Sequence, residues 1–274
     1  MPAPHKVGRP RKWRMREIWN AIQHIAVAGC QWAKLPKDFP PFTTVQHYFC
    51  RLRDSGMLDI TSVSLMMSAR LLAGRTAGPA AGVIDSQSVK TTKSSGPRGY
   101  DAGKKIKGRK RHILSDTEGN MLGAITHTAD VQDRDGAPDV IAGTKESFPT
   151  LAHLFADGGY AGEKLETALQ TKDGPTIEIV KRPNAATGFV VVIARRWVVE
   201  RTFAWLGRCR RLAKDWEATI ASSDAWLLIA SIRRTARLIE KGLKTKSISF
   251  ESDSQLDFVR FLVTSRPKRC PRWQ

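Results

Sequence analysis

The sequence predicts an α/β domain with a mixed sheet and flanking helices, preceded by a small all-helical region. Three observations carry that expectation. Up to about residue 75 the apolar residues recur only at helical spacing. From residue 81 short apolar runs and amphipathic stretches follow in the order strand, hairpin, helix, strand, helix, strand, helix, helix. Between the two regimes lies the small-residue run AGRTAGPAAG, which reads as a linker.

The elements follow in order. Residues 1–16 form a basic, proline-containing arm. Its Gly8-Arg9-Pro10-Arg11 has the composition of an extended hook for a narrow DNA groove, which makes Arg9, Arg11 and Lys12 candidate DNA contacts; a solvated arm has the same composition. Residues 13–28 read as a helix on Trp13, Ile18, Ile22 and Ile25, with Gly29 as its C-cap. A second helix, capped by Thr43 or Thr44, places Val45, Tyr48, Phe49 and Leu52 on one face, with Arg51 and Arg53 outside. A third covers about 58–73. Short helices with basic faces fit a helix-turn-helix-like DNA-binding module; a plain helical cap on the larger domain has the same periodicity.

In the second region AGVID is a short buried strand. KRHILSD and NMLGAITHT form a hairpin around Glu118-Gly119. A helix follows Asp133 or Asp135, LAHLFAD is a strand, AGEKLETALQT a helix and TIEIV a strand. ARRWVVERTFAWLGRCRRL is a long helix, and a second long one runs from Ser222 or Ser223 to a stop at Gly242. The expected division is therefore a helical N-terminal DNA-binding region over 1–75, a catalytic α/β domain over 80–243, and a poorly ordered basic tail over 244–274.

Composition narrows the partner. The 274 residues carry 45 Lys+Arg against 26 Asp+Glu, a formal charge of +19. Such an excess suits a polyanion, because each neutralised phosphate releases condensed counterions. Hydrophobic residues make up 41%, enough for a buried core rather than a basic tail protein. No apolar run approaches the ~20 residues of a membrane span, and the basic N-terminus lacks an apolar signal core. Cys30, Cys50, Cys209 and Cys270 form no CxxC pair, which argues for reduced thiols rather than a zinc site. The expected location is cytoplasmic and nucleoid-associated, with no membrane partner.

Three acids stand in distinctive settings. Asp85 ends the apolar run of AGVID, and Asp157 ends that of LFAD, ahead of Gly158-Gly159. Glu200 lies on a predicted helix four residues after Arg196, hence on the same face. Each alone has a plain alternative: a turn aspartate for the first two, and a surface ion pair for Glu200. Together they match what two divalent cations about 3.5–4 Å apart need to work at a phosphodiester, and Mg²⁺ suits a few carboxylates plus waters and substrate oxygens. The basic run Lys104, Lys105, Lys107, Arg109, Lys110 and Arg111 precedes a predicted strand; it reads either as a grip on a DNA backbone, with Gly108 allowing close approach, or as a solvated loop. His112 reads as a strand residue with a satisfied hydrogen bond. Asp130, Asp133 and Asp135 fail the spacing of a calcium loop and read as strand-end and cap residues. Trp205, Trp216 and Trp226 read as core or inter-helix packing.

VIDSQSVKTT, GYDAGKKIKGRKRHIL, DRDGAP, ADGGYAG and RRWVVERTFAWLGRCRRL together resemble motifs of bacterial insertion-sequence transposases of the Asp-Asp-Glu class, in the insertion-sequence family numbered five. The resemblance runs from about Gly8 to Gly242. It implies a ribonuclease-H-like catalytic domain with Asp85, Asp157 and Glu200 as metal-binding triad and Arg196 beside it. It also implies Mg²⁺, with Mn²⁺ able to substitute, double-stranded DNA at element ends and target, and a homodimer on DNA. Of the signature around the glutamate, Arg196 and Glu200 match, while Ile193 stands at the tyrosine position and Gly207 at the lysine position. The alternatives are a ribonuclease-H-like DNA nuclease, and an inactive or truncated relic that only binds DNA.

Overall fold

The computed structural model describes residues 12–92, 96–170, 174–180 and 192–245. Arg9 and Arg11, and most of the expected C-terminal tail, lie outside the described residues.

The N-terminal region is helical as the periodicity requires. Helix α1, Met15–Ala28, buries Ile18, Ile22 and Ile25 completely and ends at Gly29 in the left-handed conformation. Helix α2, Phe42–Asp54, buries Val45, Phe49 and Leu52; helix α3 spans Met57–Leu72. The α/β part follows as β1 Ala81–Lys90, β2 Gly99–Asp101, β3 Ile106–Asp116, β4 Met121–Thr128, α4 Asp133–Ser147, β5 His153–Ala156, α5 Glu163–Gln170, β6 Thr176–Ile179, α6 Val192–Leu206 and α7 Ile220–Thr245.

The sheet is mixed. Strand β3 pairs antiparallel with β1 along one edge; β2 and β4 take successive stretches of its other edge. On the far side of β1, β5 and then β6 run parallel. The long strands thus lie in the order β4–β3–β1–β5–β6, the ribonuclease-H-like arrangement. Side chains of β1 alternate between faces. Val83 joins Phe155, Val180 and Val199 in a small core under α6, while Ile84 joins Leu114, Val140, Leu154 and Ala156 on the side of α4.

The N-terminal helices share a core with the rest of the chain. Ile18, Ile22, Phe49 and Leu58 pack with Trp226, Ile229 and Ile232 of α7 and with Ile113 of β3. Phe49 stacks on Trp226 at a centroid distance of 4.6 Å. A buried ion pair, Arg70 with Asp116 at 2.7 Å, ties α3 to the end of β3. Among the described residues Cys30, Cys50 and Cys209 form no disulfide. No helix there is long and apolar enough to cross a membrane.

Several boundaries differ from expectation. Strand β3 begins at Ile106, inside the basic run. Helix α6 stops at Leu206, and the chain re-enters one helical turn at Arg210–Leu212, where Arg211 pairs with Glu217 at 2.6 Å and donates to the Cys30 carbonyl. Helix α7 runs through Gly242 to Thr245, since one glycine costs a helix only about 1 kcal/mol and does not by itself end it.

Candidate metal and DNA site

Strands β1 and β5 are in parallel register up to Val83 opposite Phe155. Two residues further along each chain stand Asp85 and Asp157. Both line one small pocket with Val83, Phe155, Val180 and Val199. Asp85 was expected at a strand end, but β1 continues to Lys90. It is β5 that stops, at Ala156. Beyond that point β1 has lost its neighbour on this side, and the step in the sheet gives Asp85 an open flank. Each carboxylate is oriented by a backbone N–H. Ser86 N donates to Asp85 Oδ1 at 2.7 Å, and Gly159 N donates to Asp157 Oδ1 at 2.9 Å as Asp157 caps the helical turn Gly158–Tyr160. The fit at Gly159 is close: a Cβ would stand 3.1 Å from both Asp157 Oδ1 and Asp133 Oδ2.

Helix α6 packs across β1, β3 and β5. Its Val199 is buried and points into the pocket. Glu200, about 100° further round the helix, is exposed. Among the described residues no three His, Cys, Asp or Glu side chains gather closely enough to cage a metal ion. The structure therefore unites Asp85 and Asp157 in one pocket, while Glu200, the residue after Val199 on α6, is exposed and is not among the residues that line it. Arg196 lies on α6 as expected, but its side chain is outside the described residues. Trp197 on α6 is 52% exposed. It is one of two indoles stacked on the Arg201 guanidinium; the other, Trp205, also carries Arg234 at 3.8 Å. Trp226 is core as expected, whereas Trp216 is 42% exposed. The aspartate pair suits a hard divalent cation, because Mg²⁺ takes one or two carboxylates and completes its shell with water and phosphate oxygens.

The basic run divides. Lys104, Lys105 and Lys107 are exposed, as is Lys12. Arg109, Lys110 and Arg111 are not available to DNA: they are 1%, 6% and 2% exposed. Arg109 pairs with Asp215 at 3.0 Å, Lys110 with Asp133 at 2.9 Å, and Arg111 donates to the Leu212 carbonyl at 2.8 Å. These residues sit inside a strand flanked on both edges, so each cation met an internal acceptor during folding. Gly108 gives its close approach to Val89 of β1 rather than to DNA.

Sequence reasoning missed the polar network behind the aspartates. Asp133, expected as a cap, lies in the first turn of α4 and accepts from Ser86 Oγ at 2.7 Å. Lys110 also approaches Asp101 at 3.7 Å, and Asp101 accepts from Ser88. Buried Tyr160 completes the group; burial and the negative charges of Asp133, Asp85 and Asp157 push its phenol well above its ordinary value, so it stays protonated. His112, expected to be hydrogen-bonded, is buried with neither ring nitrogen partnered. Its ring lies 5.2 Å from that of His127. The one sequence signal was alternation: Ser86 and Ser88 on one face of β1, opposite His112 and Lys110 in register.

A mixed sheet of this order, with Asp85 on β1 and Asp157 just past the end of the parallel β5, is the ribonuclease-H-like fold expected from the sequence. Residues 76–233 match the family model described as "Transposase DDE domain", and residues 1–61 match "Putative transposase of IS4/5 family". The chain belongs to the DDE-domain transposase family. It is similar to a protein of Burkholderia cepacia, "Putative transposase for insertion sequence element IS402", with 31% identity over 127 residues. That match takes in 44% of this chain and 59% of the relative, so the chain spans under two thirds of the relative's length. Two solved structures overlap 91% of this chain and 83% of their own: a pre-cleavage Mos1 transpososome at 13% identity and a TM-score of 0.30, and a Mos1 transposase paired-end complex at 11% and 0.26. At those scores they add nothing to the assignment.

Proposed function

We propose that this protein is a DNA transposase, which binds the terminal inverted repeats of an insertion sequence and catalyses divalent-metal-dependent cleavage and strand transfer. The observation that carries this is the pairing of Asp85 and Asp157 at the step between β1 and β5, beneath the helix that bears Glu200. A bound divalent cation, Mg²⁺ or Mn²⁺, supplies Lewis-acid stabilisation of the phosphodiester and activation of the attacking oxygen. Asp85 and Asp157 would be its ligands, each fixed by one backbone N–H. Glu200 on α6 would be the third. Arg196 orients Glu200 or meets a phosphate. In the first step water attacks phosphorus at an element end and breaks the P–O3′ bond, leaving a 3′-hydroxyl. That hydroxyl then attacks a target phosphodiester in line and displaces the target's own 3′ oxygen, with no covalent protein intermediate.

The charge of +19 and the exposed Lys12, Lys104, Lys105 and Lys107 suit double-stranded DNA as partner. Recognition of the repeats falls to the N-terminal helices, cleavage to the α/β part. Two ends held at once call for a homodimer on DNA, and the protein works at the nucleoid in the cytoplasm.

The test is Mg²⁺-dependent strand transfer on DNA carrying the element ends. Asp85→Ala, Asp157→Ala and Glu200→Gln should each abolish joined product while leaving end binding intact. Full strand transfer by any of them would sink the triad assignment for that residue. Cleaved ends without joined product from the unaltered protein would make it a nuclease instead.

A further inference from the structure

One carboxylate hydrogen-bonds to Ser86 and lies near Gly159, the two residues that hold the aspartate pair. Asp133 Oδ1 accepts from Ser86 Oγ at 2.7 Å, and the Ser86 N–H is the donor to Asp85 at 2.7 Å. Asp133 Oδ2 stands 3.1 Å from where a Cβ on Gly159 would lie, and the Gly159 N–H is the donor to Asp157 at 2.9 Å. Asp133 is itself held from behind, by Lys110 at 2.9 Å. Lys110 is fixed in turn by its place in β3 and by Asp101. Asp133 opens α4, so its hydrogen bond to Ser86 and its ion pair with Lys110 tie α4 to β1 and β3.

We propose that Asp133 is a positioning residue for the metal site, fixing through Ser86 the orientation of Asp85 beside Asp157. This rests on Asp85 and Asp157 being the metal ligands. The physical reason is that a hard cation needs its carboxylates held at a fixed separation, and backbone donors can do so only if their own segments are pinned. Two negative ligands alone repel one another. A third anion beside them is held charged by Lys110, 6% exposed in the sheet interior, together with the Ser86 hydrogen bond and the nearby Lys104. Removing groups that hold metal ligands in place characteristically lowers metal affinity by about 10–100-fold.

The experiment is a Mn²⁺ titration of the full chain without DNA, following the electron paramagnetic resonance signal of free Mn²⁺, together with thermal melts. Ser86→Ala and Asp133→Asn should each weaken Mn²⁺ binding about ten-fold or more. In cleavage assays the same variants should need correspondingly more Mg²⁺ for half-maximal rate, with most of the rate recovered at saturation. A merely structural role would lower the melting temperature and leave the affinity of the folded protein unchanged. Ser86→Ala keeps the Asp133–Lys110 pair, so it serves if Asp133→Asn fails to fold. Wild-type Mn²⁺ affinity in folded Ser86→Ala overturns the proposal, provided Asp85→Asn has lost binding. If Asp85→Asn binds Mn²⁺ normally, the ligand assignment is wrong and this inference goes with it.

Discussion

The outer and inner halves of the basic run 104–111 each carry three cations and meet opposite fates. Lys104, Lys105 and Lys107 stand in solvent around the start of β3. Arg109, Lys110 and Arg111, a few residues on, lie in the sheet with strands on both edges. Arg109 is the extreme case: it meets Asp215 and Ser223, and three backbone carbonyls, Pro97, Ala218 and Thr219, crowd the same guanidinium. The difference teaches that positive charge in this chain serves two purposes. At the margin it is available to phosphate, and in the interior it is a structural tie between strand and helix.

The largest effect that could break this division is on stability. Asp215 accepts from Arg109 at 3.0 Å and from the Glu217 backbone at 3.0 Å, and both side chains of the ion pair are 1% exposed. Asp215→Ala leaves a guanidinium buried without its counter-charge, which costs about 3–5 kcal/mol. The melting temperature should fall by on the order of 10 °C. A fall of only a degree or two would mean that the inner cations are not structural ties, and the distinction between the halves would collapse.

The next effect is pH-dependent and smaller in reach. Burial, and then the neighbouring His127, push the His112 imidazole down to about 4, although Asp133 acts in the opposite sense. The free imidazole titrates near 6.5. Above that value both folded and unfolded chains carry it neutral, and nothing is lost. As pH falls from about 6.5 to 4 the unfolded chain takes up a proton that the native state refuses, and stability declines by roughly 3 kcal/mol in total. Urea unfolding at pH 7 and pH 4.5 should show that decline, and His112→Gln should remove most of it. Asp133 contributes separately: burial works against its charge, but the Ser86 hydrogen bond and Lys110 hold it below its ordinary value, so its share disappears only below about pH 4. An unchanged decline between pH 6.5 and 4.5 in His112→Gln would assign it to other groups.

Much of this was legible in the sequence. The helix faces of α1 and α2, the hairpin at Glu118-Gly119 and the order of strands follow from periodicity and turn residues, which report local structure. Asp85 and Asp157 were legible because an acid closing an apolar run is conspicuous. The burial of Arg109, Lys110 and Arg111 was not, because nothing local marks it: their partners lie at Asp215, Asp133 and Leu212, up to 106 residues away for Arg109. Asp133 was hidden for the same reason. As a residue at a helix start it has an adequate local explanation, and its contact with Ser86, 47 residues earlier, depends on how α4 crosses the sheet. Charge shows which residues carry it, and only the tertiary fold decides what it meets.

The smallest expected change in stability belongs to the outer half, where the comparison is sharpened rather than broken. Lys105 and Lys107 are exposed and so should unfold like any surface site, within about 0.5 kcal/mol of the unaltered chain when changed to alanine. Lys104 differs, since its ammonium lies 3.3 Å from the Ser86 carbonyl beside the aspartate pair; it is best changed separately. Binding is where the outer half should register. Each phosphate that the protein no longer neutralises reduces the slope of log affinity against log salt by about 0.9. The Lys105→Ala, Lys107→Ala double variant should therefore flatten that slope by nearly 2, measured by fluorescence anisotropy on end-containing duplex DNA across a salt series. An unchanged slope with unchanged melting would leave these lysines solvated and move the DNA path elsewhere on the surface.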